Sequence, residues 1–234
     1  MRLNKFLSAN YSVSRRDADK LIESGRVKVN GTLVTEMGLR VGESDVVELD
    51  NKKISKAEKE YYRFFKPRGL LTAYGDGRGK PTLDEIPFLK ERKLAYSGRL
   101  DFDSEGLILF TNDGELVVRL QKSEFKAEKE YLVWTHGDLT ENELELIRDG
   151  LETDEIRYKA CKAERIKSGH FRLILTEGKK RQIREIFRFF GIRVSRLLRI
   201  RIGNITIDGL SAGEIQPLSK NEIMELKKCI EYEL

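Results

Sequence analysis

The apolar positions change period several times along the chain, and each change marks an element. Ala18, Leu21 and Ile22 recur at i, i+3 and i+4, one face of a helix. Ser14 stands just ahead with Asp17 three residues on, a capping-box spacing with Asp in place of Glu or Gln. Gly25 then supplies the residue that tolerates a left-handed helix end. Val27-Lys28-Val29 alternates, Asn30-Gly31 turns, and Leu33-Val34 resumes, a strong two-residue hairpin signal. Val46, Val47 and Leu49 add another strand. From Asn51 to Glu60 almost every residue is polar, and this run is read as a linker between domains at 1–50 and 61–234. Beyond it, strands are predicted at 61–65, 107–110, 131–134, 171–175 and 193–202. Helices are predicted at 141–149, at 181–190 and over the C-terminal segment. That last helix opens with Ser219 and Glu222, a full capping box, followed by Ile223, Met224, Leu226 and Ile230. Strands and helices mix without a regular βαβ alternation, so the class is α+β on a mixed or antiparallel sheet.

Composition narrows the function. The 234 residues are 39% hydrophobic and 35% charged, which allows a real core under an ionic surface. No apolar run approaches the roughly 18 residues of a membrane span. The N-terminus turns polar too soon for a signal peptide. Cys161 and Cys229 are far apart, and His136 and His170 are isolated. A disulfide framework and a metal site are therefore not expected, and the compartment is read as reducing and cytoplasmic. Acid–base or nucleophilic chemistry must then fall to Asp, Glu, Tyr, Lys or Arg.

The formal net charge is +5, and it is concentrated. Between Gly178 and Arg201 stand nine basic residues, Lys179, Lys180, Arg181, Arg184, Arg188, Arg193, Arg196, Arg199 and Arg201, opposed only by Glu185. Arg181, Arg184 and Arg188 fall at i, i+3 and i+7 on one helical stripe, with Ile183, Ile186, Phe187 and Phe190 on the buried one. After Gly191 the chain alternates. Ile192, Val194, Leu198, Ile200 and Ile202 point one way, Arg193, Arg199 and Arg201 the other, and Arg196 is out of phase. A helix and a strand with basic faces suit a polyanion, because each neutralised phosphate releases counterions. In the first domain Arg2, Lys5, Arg15, Arg16 and Lys28 add to this, diluted by Asp17, Asp19 and Glu23. The Gly-rich stretch 75–82 is not a phosphate loop. Tyr74 occupies the first glycine's place and Pro81 follows the Lys. No GxGxxG follows a strand, so no dinucleotide is expected.

Candidate chemistry lies at Ser97-Gly98-Arg99-Leu100-Asp101-Phe102-Asp103-Ser104-Glu105-Gly106, three carboxylates in a glycine-bounded stretch ahead of an apolar strand. Loops held by rigid strands are where catalytic groups gather. Taken alone, the spacing fits a turn whose acids merely face water better than it fits a site. The wider motif, GRLDFDSEGLILFTNDGEL, resembles the signature of the RsuA-type rRNA pseudouridine synthases. The resemblance spans almost the whole chain. Residues 2–49 resemble an S4 RNA-binding domain, Phe65-Lys66-Pro67-Arg68-Gly69 the family's first motif, Glu128–Val133 its tyrosine motif, and Glu177–Arg184 its last motif.

What the resemblance implies is a small S4 module followed by a catalytic domain on a mixed, largely antiparallel sheet. The implied reaction isomerises a uridine of ribosomal RNA to pseudouridine without a cofactor. Asp101 would be the catalytic carboxylate, Tyr131 would stack on the target base, Arg184 would pair with Asp101, and Arg99 would hold the vacated stack or a phosphate. The RNA would be held by Arg99, Lys179, Lys180, Arg181, Arg188, Arg199 and Arg201, with Arg2, Lys5, Arg15, Arg16 and Lys28 from the first domain. The partner would be ribosomal RNA or a subunit assembly intermediate, bound by a monomer without metal or membrane. The tyrosine and final motifs resemble the large-subunit branch more closely, although the chain stops at Leu234 without the long basic tail of some of those enzymes. Two other readings compete. A non-catalytic S4-type RNA-binding or ribosome-assembly factor would need only the basic surface. An N-glycoside hydrolase would use Asp101 and Asp103 as its carboxylate pair.

Overall fold

Two sheets organise residues 1–153 and 156–232, the residues described by this computed structural model. The last two residues of the expected second domain lie outside them. In the N-terminal unit, α1 (Leu3–Asn10) and α2 (Arg15–Glu23) precede β1 (Val27–Val29), β2 (Thr32–Val34), β3 (Val47–Leu49) and β4 (Lys52–Lys53). The four strands run β2-β1-β3-β4, all antiparallel. Ser14 Oγ accepts from the Asp17 amide at 3.1 Å and caps α2. Asn30 and Gly31 take φ of +51° and +78°, the left-handed pair that a two-residue hairpin of this twist needs. Leu3, Phe6, Leu7, Ala18, Ile22, Val27, Val47 and Leu49 close a small core. The polar run from 51 is not uniform. Its start forms β4, Ile54 packs into the small core, and regular structure is absent only over 54–60.

The larger sheet is built from β5 (Tyr61–Lys66), β6 (Ala95–Tyr96), β7 (Glu105–Thr111), β8 (Lys129–His136), β9 (Lys162–Lys167), β10 (His170–Leu175), β11 (Arg193–Ile202), β12 (Ile205–Thr206) and β13 (Ile215–Pro217). Its order is β13-β5-β7-β11-β8-β10-β9, with β6 beside β7 and β12 beside β11. Of the strand pairings among described residues, only β7 with β11 is parallel, apart from an isolated Leu71–Thr82 bridge. The fold is therefore α+β with a mixed, largely antiparallel sheet. Helices α3 (Pro87–Arg92), α4 (Gly114–Gln121), α5 (Glu141–Asp149), α6 (Gln182–Phe189) and α7 (Lys220–Cys229) complete it.

Two cores flank the sheet. Ile108 and Phe110 of β7 join Phe64, Val133, Phe171 and Phe187 in one, while Leu107 and Leu109 join Ile202, Leu226 and Ile230 in the other. A strand buried on both sides reads as a continuous apolar run, which is why Leu107–Phe110 shows no alternation. The chain crosses β11 at Gly106, whose φ is +115°. A Cβ there would sit 2.3 Å from the Arg199 carbonyl oxygen and 2.6 Å from its nitrogen, so only glycine permits the approach.

Candidate active-site cleft

The carboxylate loop is fixed before β7 begins. Thr72 Oγ1 donates to the Leu100 carbonyl at 2.8 Å and accepts from the Leu100 amide at 3.2 Å. Gly69 N–H donates to the Phe102 carbonyl at 2.8 Å. Ser104 N–H donates back to the Asp101 carbonyl at 3.1 Å, so the three acids do not lie on an extended strand. They diverge instead. Asp101 opens onto a cleft of about 570 Å³, Asp103 lines a neighbouring cleft of about 510 Å³, and Glu105 pairs with Arg196. Beneath the loop, the wholly buried Lys66 donates from Nζ to the Ser104 carbonyl at 2.7 Å and the Pro67 carbonyl at 2.9 Å. Burial lowers its pKa to about 8 against the pull of Asp101, Asp103 and Glu105.

The ion pairs correct one expectation. Arg184 does not take Asp101 as its partner. Its Nη2 lies 3.3 Å from Asp103 Oδ2 and donates to the Asp103 carbonyl at 3.1 Å and to Ser104 Oγ at 3.2 Å. Nη1 donates to the Val194 carbonyl at 3.1 Å. Asp101 Oδ2 instead faces Arg181 Nη1 at 3.6 Å, and the same nitrogen reaches Asp103 at 3.5 Å. The physical reason is local. Residue 181 precedes α6 in the left-handed region, φ +53°, and so leaves the helical stripe that the i, i+3, i+7 spacing implied. Arg184, only 9% exposed, turns inward. The chain before α6 is braced by Gln182, which donates to Glu177 Oε1 at 2.8 Å and accepts from the Lys179 amide at 3.0 Å.

The larger cleft brings Arg99, Asp101, Lys179, Lys180 and Arg181 to one opening, with Tyr131, Arg199 and Lys129 deeper. Tyr131, on the central part of β8, is 8% exposed and accepts from Arg199 Nη1 at 3.5 Å. Arg199 is a second correction. It was expected on an exposed strand face, yet it is 2% exposed. Register irregularities in the β11–β8 pairing, at Val194/Arg196 and Arg199/Arg201, break the simple alternation. Arg199 Nε donates to the Leu107 carbonyl at 2.7 Å. Arg201 is tied to Glu130 at 2.6 Å and to Glu128 at 3.0 Å rather than free for a phosphate.

Other expected RNA contacts scatter. Arg188 is exposed, pairs with Glu185 and lines the smaller cleft with Arg68, Arg181, Arg184, Arg193 and His136. Lys179 pairs with Glu177 at 3.9 Å, and its ammonium sits over Tyr158 at 5.5 Å. Arg2, Arg15 and Arg16 are exposed and Lys5 and Lys28 partly so, all on the N-terminal unit. Lys66 and Lys129 were missed as individual site residues. Their signal was phase: each is a lysine on the strand parity that also carries core residues, Phe64 for one and Tyr131 and Val133 for the other. Among the described residues no cluster of three or more His, Cys, Asp or Glu could hold a metal ion, and no helix is long and apolar enough to cross a membrane.

Comparison with known proteins adds the following. Residues 60–189 match the model of the RNA pseudouridylate synthase family, and residues 1–47 match the S4 domain. An uncharacterised RNA pseudouridine synthase of Aquifex aeolicus is 36% identical, over 99% of this chain and 98% of that protein. Ribosomal large subunit pseudouridine synthase B of Bacillus subtilis is 30% identical, over 99% and 97%. The dual-specificity RNA pseudouridine synthase RluF of Escherichia coli is 36% identical, over 99% of this chain and 80% of its own length. A crystal structure of a pseudouridylate synthase superposes with a TM-score of 0.69 at 30% identity, covering 97% of this chain and 99% of that one.

Proposed function

Since this chain belongs to the RNA pseudouridylate synthase family and carries an S4 domain, we propose that it isomerises a specific uridine of ribosomal RNA to pseudouridine, with Asp101 as the catalytic carboxylate. The observation that carries the assignment is a half-exposed carboxylate at a cationic opening, 3.6 Å from a guanidinium and in the same cleft as a tyrosine ring. A uridine inside folded RNA must leave the stack before its sugar is reached. The cleft volume suits one nucleoside, and Tyr131 offers a flat ring for the base. Arg181 sets a guanidinium 3.6 Å from the Asp101 carboxylate. That carboxylate then attacks C1′ or removes a sugar proton as the N1–C1′ bond breaks, and after the base turns, C5 joins C1′ as the carboxylate leaves or returns the proton, while the C5 proton passes to solvent and N1 takes one up. Substrate and product are isomers, so no redox partner or group donor enters.

In this reading Arg184 acts through Asp103 and Ser104, holding the loop that presents Asp101. Exposed Arg99, Lys180 and Arg188 meet the RNA backbone, and the S4 unit, joined through 54–60, supplies a second contact. The large ribosomal subunit is the proposed source of the RNA, a choice favoured by the Bacillus subtilis relative. Asp101→Ala is expected to abolish pseudouridine while RNA binding persists. Mapping of both ribosomal RNAs from cells with and without the gene, complemented by wild type or Asp101→Ala, tests this. A normal modification pattern in the deletion, or full complementation by the variant, overturns it.

A further inference from the structure

The cleft floor holds two buried cations that the mechanism above leaves unused. Arg199 spends Nε on the Leu107 carbonyl and Nη1 on Tyr131 Oη, and its Nη2 is buried without a hydrogen-bond partner. Lys129 is 5% exposed, and its Nζ reaches the Ala127 carbonyl at 3.2 Å. Neither side chain forms an ion pair with a carboxylate among the described residues. Burying a cation without a counter-charge costs stability. Burial, with Arg199 nearby, also lowers the Lys129 pKa to about 8. Of the other cations around the cleft, Arg181 and Arg184 pair with aspartates and Arg196 and Arg201 with glutamates, while Arg99 and Lys180 stand exposed at the opening, where water solvates them. An uncompensated pair beneath the proposed base-stacking tyrosine therefore calls for a ligand that brings negative charge or carbonyl oxygens.

We propose that Arg199 and Lys129 form a subsite for the carbonyl oxygens of the uracil ring, and that they stabilise the uracil anion while it is detached from the sugar. This rests on the pseudouridine synthase reading of the same cleft. The electron balance shows why such a subsite helps. When N1–C1′ breaks, the bonding pair stays on the base and spreads over N1, O2 and O4, while C1′ passes to Asp101 or becomes unsaturated by loss of a sugar proton to it. A preorganised cation at those oxygens stabilises charge that develops only during the reaction. The ring then turns about its N3–C6 axis. That turn exchanges N1 with C5 and O2 with O4, so a subsite that grips both carbonyls fits the ring equally before and after. The C5=C6 pair forms the new C5–C1′ bond as the Asp101–C1′ bond breaks or the sugar proton is returned, the C5 proton passes to solvent, and N1 takes one up. A phosphate would not need a site this deep, because phosphates stay on the outside when a base is inserted. Cytosine, with an amino group in place of O4, would oppose N–H to the buried cations and be rejected.

The test uses the full-length protein and transcripts of both ribosomal RNAs labelled with tritium at uracil C5, whose release reports C5–C1′ bond formation. Lys129→Met should lower kcat about tenfold or more with KM within threefold, and it should raise Tm at pH 7, since a buried charge is gone. A purely structural lysine would lose stability instead. Arg199→Met should lower kcat by about a hundredfold, and Arg199→Lys should retain more activity than Arg199→Met. Should Arg199→Met fail to fold, Lys129→Met and Arg199→Lys still decide. Wild-type kcat in both of those variants overturns the subsite, as does a rise in KM at unchanged kcat, which signals uniform binding. Asp101→Ala separates the two claims. If it is inactive while Lys129→Met and Arg199→Lys both keep wild-type kcat, only the subsite falls. If wild type releases no tritium from either RNA, both fall.

Discussion

Lysine at an inward strand position is the residue-scale feature that distinguishes this cleft from an ordinary basic surface. Lys66 fastens the carboxylate loop from below, and Lys129 lies under the opening with Arg199. Each was legible as a break in the parity of an apolar strand, whereas the exposed arginines drew attention by number alone. Asp101, Tyr131 and Arg99, three of the four residues singled out by motif, line one cleft. The partner of Asp101 was not legible, because a single left-handed residue before α6 exchanges the roles of Arg181 and Arg184. Gly106 is the residue on which this geometry is most exposed to change. Gly106→Ala places a methyl against the Arg199 backbone and is expected to cost roughly 2–3 kcal/mol, from overpacking plus the positive φ. Thermal melts of the variant, with tritium release as the second readout, would show a lowered Tm and slower turnover together.

Among the helices read from the sequence, three carry side-chain caps, and α6 was read from its apolar stripe without one. Thr140 and Ser219 both complete capping boxes, at α5 and α7, and Ser14 caps α2. In contrast α4 hides behind Asn112-Asp113-Gly114, which reads as a turn. Asp113 in fact caps it, accepting from the Glu115 amide at 3.3 Å, while also accepting from the Tyr61 and Tyr232 hydroxyls at 3.0 and 3.2 Å. Those long-range partners fix a helix start that local propensity leaves ambiguous. Helix α1 has no side-chain cap and no acidic residue in its first turn, so no start signal marks it. Ser219→Ala should cost about 1 kcal/mol, the value of a lost cap. The fall in Tm should accompany little change in turnover, because α7 packs on the core opposite Tyr131 and Val133.

For the whole molecule, buried ionisable groups set the pH dependence of stability. Lys66 and Lys129 are lowered to about 8 from an ordinary 10.5, mainly by burial. Between those values the unfolded chain holds more protons than the folded one, so their contribution to stability rises with pH across that window and is least favourable below it. Tyr61, Tyr74 and Tyr232 are pushed above 10 by burial and oppose this at higher pH, because the unfolded tyrosines release protons first. A Tm series from pH 7 to 10 should show the advantage of Lys129→Met over wild type shrinking as pH rises. An advantage that grew with pH would contradict the assignment of an unpaired buried charge.

Sequence by itself determined the elements that local periodicity encodes, the α+β class, the concentration of positive charge at 178–201 and the motifs that identify the family. These depend on neighbours a few residues away, so they survive without the fold. Which carboxylate meets which guanidinium, and which arginine of β11 lies buried, were decided only by the tertiary structure. Both follow from contacts between residues some 80 to 90 positions apart. A strand bulge or one left-handed residue can redirect a side chain by a whole face, and no pattern of spacing along the chain reports that turn.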